Sequence, residues 1–326
     1  MIVSKTPFRI SFFGGGSDLP SFYNQTDGFV VSAAIDKYIY ISFNRKFDDS
    51  IRLSYSVTEN VDDVEDLKHD IVKHTLKFFD LTKSIELASI SDLPSNGTGM
   101  GASSAFAVGL INALSKYRIP HQTISPKLLA NFACQIEIDH CKKPIGKQDQ
   151  FACAYGGFNS HRFTKNVVDT KPVFLRPDTL HYLEENLILL YTSKGRSADN
   201  ILQNQSKCME DNQKSFDTMK SMVDLAYQFH TKLEKQDLSD FGEMLDYSWH
   251  MKKQITDGIS NPELDEMYAD AKQCGAKGGK VLGAGGGGFM LLYADKNAQL
   301  KIKEKFAKCK PFNFHFDFNG STVLGV

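Results

Sequence analysis

Three glycine-rich segments lie far apart in the chain, each beside a different polar residue: SFFGGGSD at 11–18, LPSNGTGMGASSA at 93–105 and KVLGAGGGGF at 280–289. Glycine lets backbone approach a ligand because it has no side chain and turns readily with positive φ. The middle segment follows an alternating, strand-like run and opens into an apolar helical pattern, the arrangement with which proteins cradle phosphate. Gly97, Gly99 and Gly101 leave backbone N–H groups free to face an anion, and a helix starting near Ser103 adds the positive end of its dipole. A hydroxyl at that start, from Ser103 or Ser104, can contact phosphate or a magnesium-bound oxygen. Taken alone, the segment suits a tight strand-to-helix turn with a serine cap equally well.

Two carboxylates and one arginine complete a chemical set. Glu137 follows an apolar helical face and can hold Mg²⁺, which takes one or two carboxylates together with phosphate oxygens. Asp149 lies in a glycine-flanked turn, where it can accept a proton from an attacking hydroxyl. Arg9, in a strand-like stretch before the first glycine run, can orient such an aspartate. Ser17 and Asp18 follow the same glycines and can bind sugar hydroxyls. Each also has a plain reading: a solvated helix residue for Glu137, a turn residue for Asp149, a helix cap ahead of Leu19 for Ser17 and Asp18. Phosphoryl transfer asks mainly for positioning and charge stabilisation, so an anion cradle, a metal ligand and a base suffice for it.

Other nucleotide signatures fail. The chain has no Gly-x-x-x-x-Gly-Lys-Ser/Thr sequence. Gly283, Gly285 and Gly288 fit Gly-x-Gly-x-x-Gly, but the strand-like FMLLY follows them where a dinucleotide site needs a helix. The third segment instead reads as backbone that packs closely on another loop or a ligand.

The elements that must position these residues read as α+β. Strands are expected at 2–13, 29–35, 38–43, 51–57 and 84–90, and helices at 66–79, from 103 to 117, and from Ser125 and Pro126 onward toward Glu137. After Leu187–Thr192, a buried-type strand, come three long helical stretches near 198–212, 216–234 and 241–256, then a helix at 262–274. Strands at 278–282 and 289–293 pair across the third glycine loop. A helix at 297–309 and strands at 312–318 and 322–326 close the chain. Prolines near 171–178 suggest a boundary, giving an N-terminal part at 1–176 that carries the phosphate loop and a C-terminal part at 177–326. Strands and helices segregated in this way argue for layers, not a regular βα alternation.

Bulk properties narrow the partners. The chain has 326 residues, 38 basic and 39 acidic side chains, and a net charge of −1. No basic cluster interleaved with aromatics points to nucleic acid, and no apolar run reaches membrane-spanning length. The six cysteines show no Cys-x-x-Cys spacing, and the N-terminus lacks a signal-peptide pattern, so reduced thiols and a cytoplasmic setting are expected. A homodimer is compatible with the sequence.

TPFRISFFGGGSD, LPSNGTGMGASSA and KVLGAGGGGF resemble, in order, the three motifs of the GHMP kinase superfamily. The resemblance runs from Lys5 to about Tyr293. It implies a two-domain α+β fold, with an N-terminal domain like the second domain of ribosomal protein S5 and a ferredoxin-like C-terminal domain, and ATP and substrate between them. It makes Pro94, Gly97, Thr98, Gly99, Met100, Gly101, Ala102, Ser103 and Ser104 the ATP phosphate loop, Ser103 and Glu137 the Mg²⁺ ligands, and Asp149 the catalytic aspartate paired with Arg9. The sugar side falls to Gly15, Gly16, Ser17 and Asp18, with Gly285 and Gly286 in the third motif.

Two departures qualify the match. Gly15 and Gly16 stand where galactokinases carry Glu-His, which argues against galactose, and Ala102 replaces the first serine of the usual Gly-Ser-Ser. The finer resemblance, through the glycine triplet with Ser-Asp-Leu-Pro, GFVVSAAIDKYIY at 28–40 and LLYTSKGRSADNIL at 189–202, is to heptose 7-phosphate kinases. It implies phosphorylation of an anomeric hydroxyl, in the supply of nucleotide-activated heptose for surface glycans. Fucokinase-like enzymes share the first motif, and some superfamily members are non-catalytic sensors. A second anion site for the 7-phosphate would draw on Lys5, Arg45, Lys194 or Arg196, with Arg196 preferred for its Gly195 and Ser197 neighbours.

Overall fold

The computed structural model describes residues 1–94, 97–192 and 198–324. In chain order the first part runs β1 (Ile2–Phe13), α1 (Pro20–Tyr23), β2 (Gly28–Arg45), β3 (Ile51–Ser54), β4 (Thr58–Val61), α2 (Asp70–Phe78), β5 (Ile85–Ser91), α3 (Ala102–Arg118), α4 (Pro126–Cys134), α5 (Gln148–Tyr155), β6 (Phe158–Phe163) and β7 (Val168–Pro172). It continues with α6 (Pro177–Glu185), β8 (Leu187–Tyr191), α7 (Ala198–Asp211), α8 (Gln213–Glu234), α9 (Phe241–Lys253), α10 (Pro262–Gln273), β9 (Gly278–Val281), β10 (Phe289–Tyr293), α11 (Lys296–Lys305) and β11 (Thr322–Leu324).

The strands form two sheets. The larger has eight strands along the path β11-β1-β2-β5-β3-β4, with β6 beside β2 and β7 beside β6; the smaller is β8-β10-β9. All pairings are antiparallel except β3 with β5. The two apolar runs expected at 29–35 and 38–43 are one strand. Asp36 and Lys37 fall between the pairs Phe8↔Ile35 and Pro7↔Tyr38. They are accommodated as a bulge opposite Pro7, whose nitrogen has no hydrogen to donate.

Strand β1 is the spine of the site. From Thr6 onward it is buried, and Phe8, Ile10, Phe12 and Phe13 enter a core shared with β8, β9, β10, α8 and α9. Phe13 lies 4.3 Å from Phe229 and 6.0 Å from Phe241, ring centre to ring centre. Arg9 and Ser11 alternate with those aromatics, as strand periodicity requires, and reach a cavity instead.

Two expectations fail at the element level. Residues 312–318 form no strand; they make single bridges, Leu189↔Phe312 and Ile35↔Phe316. Phe312, Phe314 and Phe316 are spent on core contacts, with Phe316 4.5 Å from Phe158, while Phe318 is exposed. Asp149 is not in a turn but in the first turn of α5. Among the described residues no helix is long and apolar enough to cross a membrane.

Candidate active site

The glycines of the middle segment all take left-handed backbone, with φ of 68° at Gly97, 70° at Gly99 and 75° at Gly101. Gly101 is the N-cap of α3, and no side chain caps that helix. The serine-cap reading is thereby corrected: the hydroxyls of Ser103 and Ser104 turn to Glu137, and the first N–H groups of α3 are left uncapped by any side chain. The third glycine segment packs directly on this loop. A Cβ at Gly99 would stand 2.3 Å from the Leu282 carbonyl oxygen, and one at Gly288 would stand 2.4 Å from that of Gly97. The Phe289 N–H donates to the Thr98 carbonyl at 3.1 Å.

Arg9 joins three segments. Its backbone N–H donates to the Met100 carbonyl at 3.1 Å, and its Nη1 donates to the Gly99 carbonyl at 2.7 Å. Its Nε and Nη2 reach Asp149 Oδ1 at 2.8 and 2.7 Å. Arg9 is 3% exposed, whereas the Asp149 side chain is 25% exposed and faces the cavity. The Asp149 carboxylate is therefore clamped from behind and open in front.

Glu137 is fully buried, which removes the solvated-helix reading. It sits where the helix that begins as α4 continues through a π-helical turn, Gln135–His140. Its Oε1 accepts from Ser103 at 2.7 Å and lies 3.4 Å from the Lys143 ammonium, and its Oε2 accepts from Ser104 and Gln150, each at 2.7 Å. Lys143 Nζ also donates to Ser103 Oγ at 2.5 Å. An ammonium thus occupies the place where a cation would meet Glu137 and Ser103.

Asp18 forms the opposite wall. Its Oδ1 accepts from the Gly16 N–H at 3.0 Å and from Gln148 Nε2 at 2.7 Å, and its Oδ2 accepts from the Gln148 N–H at 3.1 Å. Burial raises its carboxyl above the ordinary range, and the charge of Asp149 adds to this. Ser17 instead locks the glycine turn: its hydroxyl donates to the Gly14 carbonyl at 2.8 Å and accepts from the Phe29 N–H at 3.0 Å. Neither residue caps α1, whose N-cap is Leu19.

These groups line one cavity of about 500 Å³. It gathers Arg9, Gly15, Gly16, Asp18, Gly97, Thr98, Gly99, Gly101, Ala102, Ser103, Ser104 and Asp149. Glu137 stands directly behind the serines. Met100 is buried in the core and Pro94 is exposed. Gly285 and Gly286 lie off the cavity wall against Ile259, whose carbonyl accepts from the Gly286 N–H at 2.9 Å. Arg196 and Lys194 lie outside the described residues. A second cavity of about 500 Å³ shares Ala102, Ser103 and Lys143 with the first and is lined by Tyr55, His69 and Phe106. The rings of His69 and Phe106 stack at 4.8 Å.

The sequence reading missed Lys143, Gln148, Gln205, Lys252 and Lys280, all on the cavity wall. Gln148 adjoins Asp149 and could have been found from it. Gln205 and Lys252 come from α7 and α9 and carry no local signal. Burial pushes the Lys252 ammonium down to about 8; Arg9 acts in the same direction and Asp18 opposes it.

Comparison with known proteins agrees with this geometry. Residues 68–157 match the GHMP kinases N terminal domain, and residues 229–311 match the GHMP kinases C terminal family. The chain is 30% identical to a D-glycero-alpha-D-manno-heptose 7-phosphate kinase of Campylobacter jejuni, over 99% of this chain and 98% of that one. A solved putative sugar kinase from Campylobacter jejuni superposes with a TM-score of 0.79 at 27% identity, covering 100% of this chain and 98% of the other. A D-glycero-D-manno-heptose 1-phosphate kinase from Bacteroides thetaiotaomicron gives 0.81 at 22% identity, over 100% and 99% of the two chains. With both halves of the fold matched and a relative aligned over nearly its whole length, the chain belongs to the GHMP kinases and is itself a kinase.

Proposed function

We propose that this kinase moves the terminal phosphoryl group of ATP to the anomeric C1 hydroxyl of a sugar phosphate, with D-glycero-D-manno-heptose 7-phosphate as acceptor. The observation that carries the reading is the Arg9–Asp149 pair, held at 2.8 and 2.7 Å beside Gly99 at the amino end of α3. The acceptor oxygen attacks the terminal phosphorus, a new O–P bond forms, and the bond to the β-phosphate oxygen breaks as ADP leaves. The hydroxyl proton passes to the free face of Asp149. Arg9 keeps that carboxylate oriented, and the glycine N–H groups with the α3 dipole stabilise the phosphates. The second cavity, with its Tyr55, His69 and Phe106 rings, suits the base of the nucleotide.

Mg²⁺ fits the residues present. One buried carboxylate and the hydroxyls of Ser103 and Ser104 are the oxygen donors it takes, and Lys143 already holds a positive charge there. Among the described residues no group of three acidic, histidine or cysteine side chains can hold a metal, so phosphate oxygens would complete the set around Glu137 and Ser103. Bound there, the ion would offset the charge of the phosphates.

The heptose 7-phosphate assignment rests on the relative's activity and on Gly15 and Gly16 in the first motif. The product would be the 1,7-bisphosphate, a precursor of nucleotide-activated heptose for surface glycans. We assign the nucleotide phosphates to the part at 1–176 and much of the acceptor wall to the part at 177–326. Arg196 is proposed as a further contact of the sugar phosphate from the sequence alone, for its Gly195 and Ser197 neighbours.

A panel of sugars and sugar phosphates with ATP, read by phosphorus NMR, tests the reading. The heptose 7-phosphate is expected to give a new resonance for a C1 phosphate. Asp149→Asn is expected to lower turnover roughly 10²–10⁴-fold with nucleotide binding retained. Turnover close to wild type in that variant would remove Asp149 from the chemistry.

A further inference from the structure

We propose that Lys252 is a phosphate-contacting residue: its ammonium, held by one backbone carbonyl at the cavity wall, binds an anionic phosphate of a substrate. Only the choice of phosphate rests on the kinase reading above. Lys252 lies on α9, is 4% exposed and lines the cavity. Its Nζ donates to the Gly283 carbonyl. Among the described residues no carboxylate comes within ion-pair distance of it. An ammonium has three N–H donors, so the Gly283 contact leaves others to be met.

The charges around it do not balance it. Arg9 is paired with Asp149, and Lys143 with Glu137. Asp18 is the acid whose charge Lys252 feels, yet its oxygens are committed to Gly16 and Gln148. Lys280 is a second buried amine with no carboxylate within ion-pair distance among the described residues; it is tied to the Ser11 and Phe12 carbonyls at 3.0 and 2.9 Å, and burial, with Lys252 and Arg9, pushes its pKa down. A buried charge is costly unless something of opposite sign meets it. Asp18, Asp149 and Asp199 also line the cavity, but among the described residues none of them pairs with Lys252, which borders the space a substrate enters. Phosphate supplies the opposite sign.

Two phosphates can reach this place. One is carried by the acceptor. The other is the group in transfer, because Gly283, which anchors Lys252, has its α-carbon environment filled by Gly99 of the phosphate loop: a Cβ on Gly283 would stand 2.5 Å from the Gly99 Cα.

The test compares wild type with Lys252→Met, and with Lys252→Gln, which removes the charge but keeps an N–H for Gly283. Steady-state kinetics use one acceptor with and without its phosphate, and nucleotide binding is measured separately. The variants are expected to lose at least about tenfold in kcat/KM. A rise confined to the KM of the phosphorylated acceptor assigns the acceptor's phosphate; a fall in kcat on both acceptors with unchanged nucleotide binding assigns the phosphoryl group in transfer. Lys252→Gln, which keeps a donor for Gly283, is expected to fold with a Tm at pH 7 no lower than wild type, whereas Lys252→Met leaves the Gly283 carbonyl unmet and is expected to melt lower than Lys252→Gln. Inorganic phosphate is titrated in parallel and followed by Tm. A larger shift for wild type than for either variant supports the site even if no sugar is phosphorylated, an outcome that would sink the kinase reading alone. Equal phosphate shifts together with unchanged kcat/KM overturn the proposal.

Discussion

Glu137 illustrates how one buried residue can tie two helices together. Four groups converge on a carboxylate with no solvent contact: Ser103, Ser104, Gln150 and Lys143. Two of them begin α3, so the carboxylate fixes where that helix starts relative to the helix that carries Glu137. Replacing Glu137 with Gln keeps the shape but turns an amide N–H toward one of these donors and leaves Lys143 without its partner. A stability loss of about 2–4 kcal/mol is expected, read as a lower denaturant midpoint with unchanged m-value. Ser104→Ala removes one donor and is expected to cost about 1 kcal/mol in the same experiment. Equal effects of the two changes would mean that the charge at 137 is immaterial to folding.

At the scale of elements, the middle and third glycine loops act as a single piece of backbone. Gly99 carries φ of 70° and has the Leu282 carbonyl where a Cβ would go, whereas Gly258 carries φ of 85° with nothing within 4 Å. The pair separates two costs. Gly258→Ala is expected to cost about 1 kcal/mol, from conformation alone. Gly99→Ala is expected to cost about 3 kcal/mol or more and to weaken nucleotide binding, because the loops must separate. Chemical denaturation and nucleotide titration of the two variants check this.

The same contrast explains what could be read from the sequence. The loops were legible because glycine marks left-handed backbone wherever it occurs, and because the strand before 93 and the helix after 102 have clear periodicities. Arg9 was legible beside the first loop, Glu137 through the apolar helical face it follows, and Asp149 through the GKQDQ segment. Lys252 was not: it stands in FGEMLDYSWHMKK among charged neighbours, and nothing local tells that it is buried while Lys253 is not. The Gly146 and Lys147 that precede Asp149 mask the start of α5, so the segment reads as a turn in the sequence. The segment at 312–318 alternates like a strand, but its alternation serves packing against Phe12 and Phe158 instead of a ladder.

For the whole molecule, the core decides how independent the two sheets are. Side chains of β1 from the large sheet and of β8, β9 and β10 from the small one enter one apolar cluster with α8 and α9. The chain also returns to its beginning: β11 pairs with β1, and Ser321 meets Thr6 and Asn112 at 2.7 and 3.0 Å. A single cooperative unfolding transition is expected. Trp249, the chain's one tryptophan, is 1% exposed on α9 and reports that shared core. Its fluorescence and the far-UV circular dichroism should give the same midpoint in denaturant. Two separated midpoints would show that the sheets melt apart.

The cavity divides its work by type of atom. On the function proposed above, the nucleotide side would be main-chain N–H groups between glycines, which tolerate almost no substitution, and the acceptor side would be the side chains of Asp18, Gln148 and Gln205 on separate elements. Descendants of such a scaffold can therefore trade one acceptor for another by exchanging a few wall residues, and the grip on the phosphate donor passes through unaltered.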